Sequence, residues 1–119
     1  MRQTLLAFCL AAAASPVLAQ DETKGRIDFV KEIQPILQSH CVKCHGAKKQ
    51  EGELRLDLKK HVFHDEKDLW SIVPGDAEFS SVYERITLPA DDPDVMPAEG
   101  EPLTKEQIAA IKTWIERNI

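Results

Sequence analysis

Aromatic side chains make up only 6% of the 119 residues, too few to fill a sizeable core with rings of the chain's own. Basic charge is in deficit as well: 15 Lys and Arg face 20 Asp and Glu, for a formal net charge of −5. Nucleic-acid binders carry basic patches, so that class is set aside. Long apolar runs are missing. The longest, residues 5–18, falls short of the roughly 20 residues a comfortable membrane span needs. Cysteine is scarce too, with three in the chain, and one of them, Cys9, lies inside that apolar run. No internal repeat or low-complexity tract follows it.

What is present begins with export. Met1-Arg2 gives a positive start, residues 5–18 supply an apolar stretch, Pro16 breaks it, and Val17-Leu18-Ala19 suits a signal peptidase. Residues 1–19 therefore read as a cleaved signal peptide, with an uncleaved anchor as the competing reading. Bulky Phe8 before Cys9 argues against a lipoprotein site. Residues 20–27 are polar and read as a flexible N-terminal tail. Residues 28–119 then form one domain. Residues 1–19 hold one basic and no acidic residue, so their loss takes the charge from −5 to −6. An acidic protein of this kind suits a partner with a basic docking face.

The two remaining cysteines share one segment, Cys41-Val42-Lys43-Cys44-His45. Cys-x-x-Cys-His is the signature of c-type haem attachment. Two thiols three positions apart reach two vinyl groups on one haem edge and form thioethers, and the next residue presents an imidazole to the iron. Three other readings compete. A Cys41–Cys44 disulfide of thioredoxin type would need a βαβ context, which the helical, charged flanks do not supply. A zinc site would want four ligands, and His61 with His64 offers a second pair. Chance occurrence is the third. His40, beside Cys41, reads as a polar residue near the haem edge.

A carrier needs a sixth iron ligand. Outside Met1 the chain has a single methionine, Met96, and Pro93 and Pro97 flank it in an ordered, extended loop. A thioether on a stiff loop suits iron. Packing on the core is the alternative use of such a methionine. His61 and His64 are the rival ligands, in a charged run that reads as solvated surface.

With these residues in view the sequence resembles the planctomycete-type cytochrome c domain, a branch of the class I cytochrome c superfamily. The resemblance rests on Ile33-Gln34-Pro35-Ile36-Leu37 leading into Cys41-Val42-Lys43-Cys44-His45-Gly46, and on Gly52-Glu53-Leu54-Arg55-Leu56-Asp57. It continues through Val73-Pro74-Gly75-Asp76, Ser80-Ser81-Val82-Tyr83-Glu84-Arg85-Ile86, Met96-Pro97, and Leu103-Thr104 through Trp114-Ile115. Its extent is about residues 28–117. It implies one covalent haem c, with thioethers at Cys41 and Cys44, proximal His45 and distal Met96. It also implies an all-α fold, a small cytochrome c-like helical domain around one haem whose N- and C-terminal helices cross. The family's domain is often fused to large enzyme-like domains. Here it is expected to stand alone, and the roles of those fusions are not carried over.

The elements follow from local pattern. Asp28 should cap a helix reaching about His40, with Phe29, Ile33, Ile36 and Leu37 facing inward and Pro35 kinking or starting it. Residues 46–52 read as a flexible loop. Leu54-Arg55-Leu56 should run extended along the haem edge, with Arg55 pairing either with a haem propionate or with a nearby Asp or Glu. Pro74-Gly75-Asp76 is a turn. Ser81 and Glu84 form a capping box for a short helix through Ile86, and Thr104 with Gln107 forms another for the last helix. Leu103 and Ile108 staple that helix, and Ile108, Ile111 and Ile115 make its inner stripe beside Trp114.

The expected function is that of an exported, periplasmic monohaem electron carrier, not itself an enzyme. It would pass single electrons between electron-donor and electron-acceptor redox proteins, with no nucleic acid and no stable membrane insertion of the mature chain. The alternative is a haem subunit of a larger redox enzyme or a ligand-binding haem sensor. A sensor needs an open sixth position, which rapid carbon monoxide binding would reveal.

Overall fold

The computed structural model describes residues 25–62 and 71–117. The signal peptide, most of the tail and His64 lie outside them. Among the described residues the chain forms four α-helices and no strand, in keeping with an all-α protein.

The first helical segment is a π-helical turn, Phe29–Ile33, running straight into α1, Gln34–His40. Asp28 starts it as expected: its carboxylate accepts the amides of Val30 at 3.0 Å and Lys31 at 3.1 Å. Glu32 returns the favour by accepting the Asp28 amide at 2.7 Å. The change of pitch has a cause in Pro35. A regular helix would ask Pro35 for an amide it lacks. The chain instead widens, so that the Gln34 amide bonds back to Phe29 O, and α1 restarts with Pro35 in its first turn. The kink and the restart are thus one event.

Beyond the attachment segment come a 3-10 turn at Glu51–Glu53 and the short α2 at Lys59–Val62. Val73-Pro74-Gly75-Asp76 is the expected turn, closed by the Asp76 amide on Val73 O at 3.0 Å. Gly75 sits at φ 82°, the left-handed region such a turn demands. Its amide reaches Ile115 O at 2.9 Å and so satisfies a carbonyl near the end of the last helix.

Helix α3, Ser81–Ile86, ends where expected but starts differently. Its N-cap is Ser80, and the Ser81/Glu84 capping box does not form. The Ser80 hydroxyl is fully buried and already engaged: it accepts from the Val73 amide at 2.8 Å and donates to Asp76 O at 2.7 Å. A buried hydroxyl satisfied on both sides is worth more to the loop than to the cap.

Helix α4, Lys105–Arg117, opens on the expected reciprocal box. The Thr104 amide donates to Gln107 Oε1 at 2.9 Å, and the Gln107 amide to Thr104 Oγ1 at 3.2 Å. Leu103 is buried and Ile108 half-buried beside it. Ile111, Trp114 and Ile115 are at most 1% exposed and form the inner face. The π turn packs against α4, where the Phe29 and Trp114 rings lie 5.3 Å apart, tilted by 43°. Helix α3 packs on α4 through the same core, with Val82 and Ile86 buried.

Candidate functional site

The attachment segment grows directly from α1. Leu37, 2% exposed, anchors that helix in the core. Its carbonyl accepts both the Cys41 amide at 2.9 Å and the Val42 amide at 3.0 Å, which ends the helix. The Cys41 carbonyl then accepts the amides of Cys44 at 3.1 Å and His45 at 2.9 Å, winding a second tight turn. Cys41 and Cys44 thus stand on one turn with His45 next to them, all tied to a core-anchored helix.

The following loop folds back over this turn. The Glu51 amide reaches Cys44 O at 2.9 Å, the Leu56 amide reaches His45 O at 2.8 Å, and His45 pairs with Gln50 in an antiparallel bridge. Residues 46–52, expected to be flexible, are therefore hydrogen-bonded around the motif, with the Gly46 amide on Lys49 O at 2.7 Å. Gly46 is required here by space. A Cβ on it would collide with the Val42 carbonyl oxygen and lie 2.9 Å from Val42 Cγ1. Since Leu56 is itself in the core, the His45 backbone is held between α1 and buried leucine.

The side chains of this segment fit a covalently held haem. Cys41 and Cys44 are half-buried thiols, not joined to each other. Burial pushes the Cys41 thiol up to about 11, so it stays protonated at neutral pH. His45 Nδ1 is buried without a hydrogen-bond partner. His61 Nδ1 is buried without a hydrogen-bond partner as well, so what sets His45 apart is its place directly after the two thiols.

Met96 sits in the ordered loop its prolines forecast. Pro89 O accepts the Asp92 amide at 3.0 Å, Asp92 O accepts the Val95 amide at 3.2 Å, and Asp92 Oδ1 accepts the Asp94 amide at 2.8 Å. The Met96 amide itself donates to Arg85 O on α3 at 3.0 Å. Its side chain is half-buried and packs against the same core cluster that Cys41 touches.

Of the rival ligands only His61 is among the described residues. His61, on α2, places Nδ1 3.5 Å from Asp57 Oδ1, an electrostatic approach rather than a well-formed hydrogen bond. Among the described residues no three His, Cys, Asp or Glu side chains gather as a metal cage. Arg55 forks onto Asp57, Nε to Oδ1 at 2.9 Å and Nη2 to Oδ2 at 2.6 Å, the ion pair expected with a nearby acidic residue. That fork first, and the His61 approach last, hold the Asp57 carboxyl at about 2, below its usual 3.8.

Some links had no local sequence signal. His40 Nδ1 lies 3.3 Å from Glu101 O, and its Nε2 lies 3.4 Å from Gln107 Nε2. One neutral tautomer serves both, donating to the carbonyl and accepting from the amide. His40 therefore ties the end of α1 to the cap of α4. Arg85 and Asp94 meet in the same hidden way, Nη1 to Oδ1 at 3.5 Å.

The family model described as Planctomycete cytochrome C matches residues 41–100, just over half of the 119-residue chain. The matched stretch is narrower than residues 28–117, and it contains Cys41, Cys44, His45 and Met96 together. Neither the curated proteins nor the solved structures gave a match.

Proposed function

Because the chain belongs to the planctomycete cytochrome c family, whose members bind haem c covalently and transfer electrons, we propose that it is an exported monohaem electron carrier and not an enzyme. The observation that carries this reading is the attachment turn: two free thiols with a half-buried imidazole directly after them on one backbone-locked segment following α1. Cys41 and Cys44 would hold the haem by thioethers, and His45 and Met96 would be the residues that ligate its iron. When bound, the haem supplies an iron that alternates between ferric and ferrous states.

The protein's own part is to hold still and keep water away. His45 is fixed through its amide and its carbonyl, and Met96 through its amide. Ligands whose backbone is held in this way would reorganise little when charge on the iron changes. A thioether opposite an imidazole raises the potential relative to a bis-histidine pair. The cytochrome c-like crossing of first and last helices is part of the same reading, supported by the packing of the π turn on α4. Its partners are an electron donor and an electron acceptor outside the cytoplasmic membrane, with basic faces to meet the acidic chain. Among the described residues no helix is long and apolar enough to cross a membrane.

A pyridine haemochrome spectrum with intact mass on the exported protein tests the proposal. One covalent haem and a mature start at Gln20 are expected. A haem-free protein, or one that loses haem to acid acetone, would refute it.

A further inference from the structure

Resting on the assignment of Met96 as distal ligand, we propose that Arg85 is the positioning residue that holds Met96 at the iron. Arg85 is the one residue on α3 that grips the Met96 loop twice. Its backbone carbonyl accepts the Met96 amide at 3.0 Å. Its guanidinium reaches across Val95 to Asp94, with Nη1 3.4 Å from Asp94 O and 3.5 Å from Asp94 Oδ1. The two contacts bracket the ligand's peptide on its N-terminal side. Asp94 is braced in turn, its amide held by Asp92 Oδ1.

The support behind this clamp is rigid. Helix α3 buries Val82 and Ile86, packs on α4, and receives further ties at its start, where the Val82 amide meets Ser71 O at 3.1 Å. The grip itself is not buried: the Arg85 side chain is 45% exposed and Asp94 72%. An exposed pair adds little to global stability. It still biases a local equilibrium between a loop docked with its methionine inward and a loop swung away. Arg85 therefore governs how often the sixth position opens, with little effect on whether the domain folds.

The test compares the holoprotein with Arg85→Gln, Asp94→Ala and Met96→Ala. It reads the far-red sulfur-to-iron charge-transfer band, the rate of cyanide binding to the ferric protein, and the thermal midpoint. Arg85→Gln keeps the carbonyl bond and removes the guanidinium. It should weaken the band and speed cyanide binding by about fivefold, the factor an exposed pair of this kind can supply. Asp94→Ala cuts the pair from the other side and should act in the same direction. Both midpoints should stay within a few degrees of the parent. If band and cyanide rate are unchanged in both variants while Met96→Ala loses the band, Arg85 has no positioning role and the ligand assignment stands. If Met96→Ala keeps the band, the ligand assignment fails and the role of Arg85 falls with it. Lower midpoints with unchanged band and rate would mark Arg85 as merely structural and overturn the proposal.

Discussion

Single residues in this protein act chiefly through space and through charge. Gly46 shows the first. No side chain fits between it and the Val42 carbonyl, so Gly46→Ala must push the loop off the attachment turn. Overpacking of this kind costs about 2 kcal/mol. The expected result is a lower yield of haem-loaded protein and a denaturation midpoint reduced to match. Asp57 shows the second. Its carboxyl is held at about 2 in the folded chain against 3.8 when free, chiefly by Arg55. A depressed carboxyl stabilises the fold above its free value, and that stability is lost as pH falls from about 4 towards 2. Asp57→Asn should cost about 1 kcal/mol at neutral pH, the scale of a partly screened pair. The difference from the parent should close below about pH 2, which acid titration of stability would show. Met96→Ala should abolish the far-red band and lower the potential, since a soft thioether favours ferrous iron. His61→Ala should leave the axial spectrum as it was, and if it did not, the distal ligand would be a histidine.

At the scale of elements, α4 depends on its entrance. Thr104 and Gln107 cap each other, and Gln107 also meets His40 from α1. Thr104→Ala should therefore cost about 1 kcal/mol. In a domain of this size that lowers the melting midpoint by roughly 4–8 °C, measurable by circular dichroism. This cap was legible in the sequence because everything it needs lies within five residues. The Asp28 cap and the Pro74-Gly75 turn were legible for the same reason. The Ser81 and Glu84 pair carried the same local pattern and misled, because the helix starts one residue earlier with Ser80 at its cap, which puts Ser81 inside the first turn. The attachment residues were plain from spacing. What held them was not: Leu56 on His45, Arg85 on Met96 and His40 on Gln107 join residues with no periodic relation along the chain. The π turn was half legible. Pro35 announced a break, and the Gln34 amide on Phe29 O shows where the extra residue went.

For the molecule as a whole, the proposed haem would bear on the core. With 6% aromatic residues the chain buries a modest apolar area of its own, and a macrocycle held at Cys41 and Met96 would enlarge it. Cys41→Ala combined with Cys44→Ala should yield a protein that melts early and is degraded in the cell. A double variant as stable as the holoprotein would contradict that dependence.

The meeting of Phe29 with Trp114 also ties the two ends of the domain together. A chain is made from its first residue onward, so the π turn emerges long before the helix it packs on. Until α4 follows, Phe29 and Ile33 have no cover and α1 has no fixed neighbour at its cap. A chain cut short before residues 105–117 would therefore keep the attachment segment but leave its supporting helix without the partner that covers Phe29, so the two ends of the domain stand or fall together.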